Sequence, residues 1–293
     1  MKNPKNKKSN FSFSQFVKSS RPISWVNTAY PFIAGYLATG GQFNIYFLLA
    51  SLYFLIPYNI LIYVVNDVFD YESDLRNPRK NSIEGGLLPP ETHGPMLITT
   101  ALVIIPFLIY LLANGSLSTN LMLLAITIGA LSYSVPPLRF KEIPFLDSIN
   151  SSFHFVSPLI FALMINGWET GYFFYVLIFF AWGLASHAFG AVQDIIPDRG
   201  AKIGSIATYL GAKKTVRLSL AIYLSISAAL ILEGWPIAIV ALPALGYVLM
   251  VQPFINLEDA NSQLANKGWR HFLALNQLTG FVVTILLIAM LIG

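Results

Sequence analysis

The sequence predicts an all-α fold, a polytopic membrane protein of nine transmembrane helices. Three observations carry that reading: charge is scarce, apolar runs are long, and the loops between them alternate in character. Of 293 residues, 55% are hydrophobic and 11% charged, whereas a soluble domain carries about 25% charged residues. Mean hydropathy is +0.63. At about 20 residues per crossing, a chain of this length has room for roughly eight to ten helices in one integral domain.

Nine runs qualify: 23–39, 43–65, 95–113, 117–133, 145–165, 172–192, 215–232, 236–251 and 271–292. They are too long, and alternate too little, to be strands. The first follows a basic, polar segment, 1–20, read as a cytoplasmic tail; 21–293 is then a single transmembrane domain. Because the next apolar stretch is span-length and leads into further spans, no cleavable signal peptide is expected. The second run, FNIYFLLASLYFLIPYNILIYVV, is uncharged throughout. The third opens after GLLPPETHGP, a proline- and glycine-rich stretch suited to capping a cavity. The fifth and sixth carry His154 and His187. Pro31, Pro57, Pro106, Pro158 and Pro243 lie inside runs and are expected to kink them.

The loops sort into two sets. TGGQF, ANGSLS, NGWETG and EGWP are short and contain no lysine or arginine. Loops 66–94, 134–144, 193–214 and 252–270, with the N-terminal segment and adjoining span ends, hold all 18 Lys and Arg residues. The positive-inside rule therefore places the N-terminus and the long loops in the cytoplasm and the C-terminus outside. Of the 14 acids, only Glu169 and Glu233 fall in the short loops, so acids and bases share one membrane face. With no cysteine, disulfides, thiolate metal sites and cysteine nucleophiles are excluded. No phosphate-binding glycine loop and no nucleic-acid signature is present.

Directly after the uncharged second run comes NDVFDYESD. Asp67, Asp70 and Asp74 are spaced i, i+3, i+7, which on a continuing helix puts them on one face, with Asn66 one turn before Asp70. Like charges so arranged repel unless a cation sits among them. Oxygen ligands without sulfur favour a hard cation such as magnesium, which binds one or two carboxylates plus substrate phosphate. A second pair, Asp194 and Asp198, ends the sixth run, followed by Arg199 and Lys202; Pro197 is expected to disturb the helix there. Two acidic clusters with basic followers on one face suit a diphosphate bridged by two magnesium ions. The plainer reading of either cluster alone is solvated charge beside a membrane.

NDVFDYESD resembles the first aspartate motif of the UbiA superfamily of intramembrane prenyltransferases, and DIIPD resembles the second. YSVPPLRFK is similar to the family's loop after the fourth span, and SRPISW to the start of its first span. The matches occur in family order over essentially the whole chain. The resemblance implies nine helices around a central cavity capped by cytoplasmic loops. It also implies magnesium-dependent transfer of a prenyl group from an isoprenyl diphosphate to an apolar or aromatic acceptor. DLRNPRKNSIEGGLLPPETH, PPLRFKEIPFLDSINSSFHF and SHAFGAVQDIIPDRGAKIGSIAT look most like the branch of lycopene elongases of C50 carotenoid synthesis, including those that also hydrate. The implied donor is then dimethylallyl diphosphate and the implied acceptor lycopene. A quinone precursor, a chlorin or a glycerol lipid is the alternative acceptor. A transporter fits poorly, because the span centres are nearly free of charge.

Carried onto this chain, the resemblance implies that Asn66, Asp67, Asp70 and Asp74 hold one magnesium and Asp194 and Asp198 the other. Arg139, Lys141 and Lys202 are the main candidates to contact diphosphate, with Tyr133, Ser134 and Arg21 beside them. Arg76, Arg79, Lys80 and Arg199 are weaker candidates, better read as topology charges. Tyr63, Tyr133 and Phe189 are candidate cavity aromatics, against a plainer role in packing. His154 and His187 could take a proton or position water, or be neutral interhelical hydrogen-bond partners. Asp147 is read as structural, paired with Arg139 or Lys141.

Overall fold

The computed structural model describes residues 11–75 and 87–292. Among them every regular element is helical. In chain order the helices are α1 (Phe13–Ser19), α2 (Val26–Ala38), α3 (Ile45–Leu55), α4 (Pro57–Phe69), α5 (Tyr71–Asp74), α6 (Pro90–Asn114), α7 (Leu117–Ser134) and α8 (Leu146–Asn166). The second half comprises α9 (Tyr172–Val192), α10 (Ile195–Ala201), α11 (Ile206–Leu210), α12 (Ala212–Leu232), α13 (Ala241–Val251), α14 (Asn266–Trp269) and α15 (Phe272–Ile292).

Eight segments are long and apolar enough to cross a membrane, against the nine expected. The run at 23–39 accounts for the difference: a 3-10 turn, Pro22–Ser24, precedes α2, which has only 13 residues. The basic segment expected as a tail to residue 20 becomes helical at Phe13, and α1 packs its buried Phe16 against α4. Ser12 caps this helix by accepting the Gln15 N–H.

The run 43–65 is two helices. α3 stops at Leu55, and α4 begins at Pro57 in the first helical position, where its missing N–H costs nothing. Carbonyls at this break still need donors in an apolar bundle. Buried Asn59 donates to the Phe54 and Leu55 carbonyls, each at 3.0 Å, and to Thr28 Oγ1 at 2.7 Å. Thr28 in turn donates to the Phe54 carbonyl at 2.6 Å. Of the other prolines, Pro31, Pro106 and Pro158 lie inside continuous helices.

Neighbouring spans pack in sequence, and α15 closes the arrangement by touching α2. Two large buried clusters result, beside a smaller one that joins α1, α4 and α6. One joins α2, α3, α4, α6, α7 and α8; the other joins α9, α12 and α13. The functional cavity lies between these halves, since both contribute to its wall. Replacing Asn59 by leucine should lower stability by about 1–2 kcal/mol, the worth of interhelical hydrogen bonds in a membrane protein. Thermal unfolding in detergent checks this; an unchanged midpoint would mean the break does not depend on Asn59.

Candidate active site

The first aspartate motif lies where α4 ends. The helix does not run on through it: Phe69 is the last helical residue, Asp70 is the C-cap, and α5 starts at Tyr71. Asn66, Asp67 and Asp70 nevertheless gather within one turn. Asn66 Nδ2 donates to Asp70 Oδ2 at 2.7 Å and to Ser134 Oγ at 3.0 Å. Asp74 ends α5, and its side chain lies outside the described residues, as do Arg76, Arg79 and Lys80.

Buried carboxylates need cations nearby, and among the described residues three arrive from elsewhere in the chain. Arg21 Nη2 reaches Asp67 Oδ1 at 3.3 Å, with its guanidinium 4.5 Å from the Tyr63 ring centre. Lys141 pairs with Asp70, and Arg139 Nη2 approaches the same carboxylate at 3.7 Å. Arg139 also pairs with Glu142 and donates to the Phe69 carbonyl at 3.2 Å, closing the end of α4. Burial pushes the Lys141 ammonium down to about 8, against the attraction of the Glu142, Asp67 and Asp198 carboxylates. Arg21 and Arg139 adopt left-handed backbone, with φ of 54° and 39°. Such conformations are uncommon for non-glycine residues and cluster at functional sites.

The second motif lies across the cavity. α9 ends at Val192, Asp194 is the N-cap of α10, and the Asp198 N–H donates to the Asp194 carbonyl at 2.9 Å. The break expected with Pro197 is present: α9 stops at Val192 and α10 restarts at Ile195, with Pro197 as its third residue, where an N–H would have no helical acceptor. Arg199 points elsewhere. It pairs with Asp259 at 2.7 Å and donates to the Thr208 carbonyl at 3.0 Å, tying α10 to the segment before α14. The Ala212 N–H holds the Asp259 carboxyl below the usual range, burial opposes it, and Arg199 adds to the lowering. Lys202 caps α10 in left-handed backbone, φ 60°, and is exposed and absent from the cavity wall.

Between the motifs is a chamber of about 1090 Å³ with charged residues at its mouth. Asn66, Asp70, Arg21 and Lys141 face it from one side, Asp194 and Asp198 from the other. Deeper in, its wall holds Tyr63, Tyr133, His154, His187 and Trp182. A second chamber of about 830 Å³ follows, sharing Asn27, Trp182 and Asn276 with the first. None of the residues lining this second chamber is charged.

A match to the sequence model of the UbiA prenyltransferase family spans residues 28–276. The chain belongs to that family. It is therefore a prenyltransferase with an integral membrane domain. A Dietzia protein named for C(50) beta-cyclic carotenoids biosynthesis is 47% identical over 270 residues, 91% of this chain; this chain spans 62% of that protein's length. A Corynebacterium glutamicum protein named lycopene elongase/hydratase is 45% identical over 273 residues, 92% of this chain and 95% of its own. A UbiA homologue from Archaeoglobus fulgidus, solved with DMAPP and Mg2+, shares the fold at a TM-score of 0.65 and 19% identity, covering 92% of this chain and 98% of its own. The UbiA homologue from Aeropyrum pernix gives a TM-score of 0.66 at 16% identity, with 92% and 98% covered. The UbiA resemblance, and that to the carotenoid branch, are borne out.

Two expectations from the sequence change. Asp147 pairs with neither Arg139 nor Lys141. It is fully buried, accepts the Ile206 N–H at 2.8 Å and lies 3.9 Å from His187 Nδ1. Phe189 is packed against Phe254 and Trp269, away from the chamber. Asn27 and Asn276, at the junction of the chambers, were not singled out, although carboxamides inside apolar runs were a signal.

The Arg199–Asp259 tie should be dispensable to chemistry. Asp259→Asn should lower stability by less than about 1 kcal/mol at pH 7, as expected for exposed pairs. Because the fold lowers the Asp259 pKa, its contribution is full above the ordinary carboxylate range and is lost as pH falls through the lowered value. Midpoints of parent and variant should therefore converge as pH falls below the ordinary carboxylate range. A gap that widened on acidification would contradict this assignment.

Proposed function

We propose that this enzyme transfers the dimethylallyl group of dimethylallyl diphosphate to an end of lycopene, in C50 carotenoid synthesis, with hydration of the product. The observation that carries this reading is the pairing of two chambers. One holds Asn66 and Asp70 opposite Asp194 and Asp198, with Arg21 and Lys141 beside them; the other is uncharged and extends the cavity into the bundle.

The carboxylates fit magnesium by donor chemistry. Among the described residues no three His, Cys, Asp or Glu side chains converge on one point. The acids come instead as Asp67 with Asp70 and Asp194 with Asp198, each with oxygen donors only. That suits a cation completing its shell with substrate phosphate oxygens. Asn66, Asp67, Asp70 and Asp74 would hold one ion, Asp194 and Asp198 the other. Bound there, magnesium would neutralise charge on the departing diphosphate. The Archaeoglobus fulgidus homologues, solved with DMAPP or GPP and Mg2+, support this donor and metal.

Arg21 and Lys141 face the diphosphate directly, whereas Arg139 braces Asp70 and Ser134 holds Asn66. Lys202, exposed and absent from the cavity wall, is not placed to contact it. The allylic C–O bond breaks with its electron pair on the diphosphate. An acceptor double bond then supplies the pair for the new C–C bond, leaving a tertiary cation on the acceptor. Tyr63, Tyr133 and Trp182 give the chamber electron-rich walls. The uncharged second chamber favours a hydrocarbon over a carboxylated aromatic acceptor, which would need a cation there. The names of the Dietzia and Corynebacterium relatives point the same way.

We read α2 with its preceding 3-10 turn as a ninth crossing. The charged loops and the aspartates then lie at the cytoplasmic face and the C-terminus outside.

Expression in lycopene-accumulating cells tests the reading. The parent should yield products one and two five-carbon units heavier, carrying added water, and Asp70→Ala and Asp194→Ala should each lower the yield by about a hundredfold or more. Unchanged lycopene beside folded parent protein and available donor would overturn the acceptor assignment, leaving quinone, chlorin or glycerol-lipid acceptors to try.

A further inference from the structure

On the chamber wall, His187 lies within a connected set of polar groups. Its Nε2 is 3.3 Å from the Tyr133 hydroxyl and its Nδ1 is 3.0 Å from Ser148 Oγ. Asp147 Oδ2 stands 3.9 Å from Nδ1, held in place by the Ile206 N–H. With the ring proton on Nδ1, directed at Ser148, Nε2 keeps a lone pair toward Tyr133. Asp147 then stabilises the positive ring that forms if Nε2 gains a proton. A base needs this arrangement: an open acceptor nitrogen, a fixed tautomer and a nearby carboxylate.

Beside it stands His154, only 3% exposed, on the same wall, its ring centre 5.3 Å from that of Tyr133. Neither of its nitrogens has a hydrogen-bond partner among the described residues. A buried imidazole without partners is costly, and one facing a chamber is suited to receive a hydrogen bond from a small hydroxylic molecule there.

We propose that these groups form the station that quenches the acceptor's cation with water: His154 orients the water, and Tyr133 and His187 take its proton. This rests on the reading of the enzyme as a lycopene prenyltransferase. Water's lone pair forms the new C–O bond to the tertiary carbon. An O–H bond of the resulting oxonium breaks, its electron pair staying on oxygen to give the alcohol. The released proton passes to Tyr133 Oη as the Tyr133 proton passes to the Nε2 lone pair of His187. Asp147 and Ser148 are positioning residues, since they act through His187. Removing the base lets the oxonium lose water again, and the cation instead sheds a neighbouring C–H proton to the diphosphate, giving an alkene.

The test supplies membranes containing the full chain with lycopene, dimethylallyl diphosphate and magnesium in 18O-labelled water. It reads both total five-carbon extension and the fraction of product carrying labelled hydroxyl. His187→Ala should lower the hydroxylated fraction relative to alkene by about tenfold or more, and added imidazole should restore it in part. Tyr133→Phe, which removes a single oxygen, should shift the fraction the same way, and serves if His187→Ala does not accumulate. A hydroxylated fraction at the parent level in both variants would overturn the proposal and leave the diphosphate as proton acceptor. Extended but unhydrated product from the parent would overturn it as well. No extension of lycopene by the parent would instead refute the functional reading on which it rests.

Discussion

Negative charge at the boundary of an apolar bundle has to be answered, and much of the fold's functional end does this. Asp67 and Asp70 are buried at the end of α4, with Asp70 on the chamber wall. Desolvating a carboxylate without a counter-charge is prohibitive. Arg21 from the segment before α2, and Arg139 and Lys141 from the loop after α7, therefore converge on them. Two of these three hold left-handed backbone. Arg21 and Lys141 also line the chamber, so under the proposed function charge balance and substrate recognition would share the same side chains.

Behind that charged mouth the chemistry changes within a few side chains. Trp182, Asn27 and Asn276 border both chambers, and beyond them no charged residue lines the wall. Under the proposed function, a water-soluble diphosphate and a hydrocarbon acceptor would meet at this junction, each in surroundings suited to it. Trp182 at that junction could stabilise an allylic cation without acting as a nucleophile toward it.

Much of this was legible in the sequence. Span positions follow from charge-free runs of fixed length, and the acidic motifs stand out against a background nearly without charge. Direction was harder to read. Arg199 follows Asp198 immediately yet turns to Asp259, and Lys202 ends exposed, because α10 carries successive side chains to different faces. Asp147 was assigned the wrong partner for a related reason. Its neighbour Ser148 is 39 residues from His187 along the chain, and packing of α8 on α9 brings the two helices together. The break at Pro57 was visible, but the answer to it, Asn59 with Thr28 from α2, depends on a helix contact that spacing along the chain does not encode.

The central claim is that the aspartates of α4 and those at the α9–α10 junction act as one unit on one diphosphate. Binding of inorganic diphosphate to purified protein, titrated at fixed magnesium for the parent, Asp70→Asn, Asp194→Asn and the double variant, tests it most directly. Groups that share a ligand are non-additive. The account predicts that either single change removes most of the affinity and that the second adds little. Losses that simply add, or binding indifferent to magnesium, would contradict it.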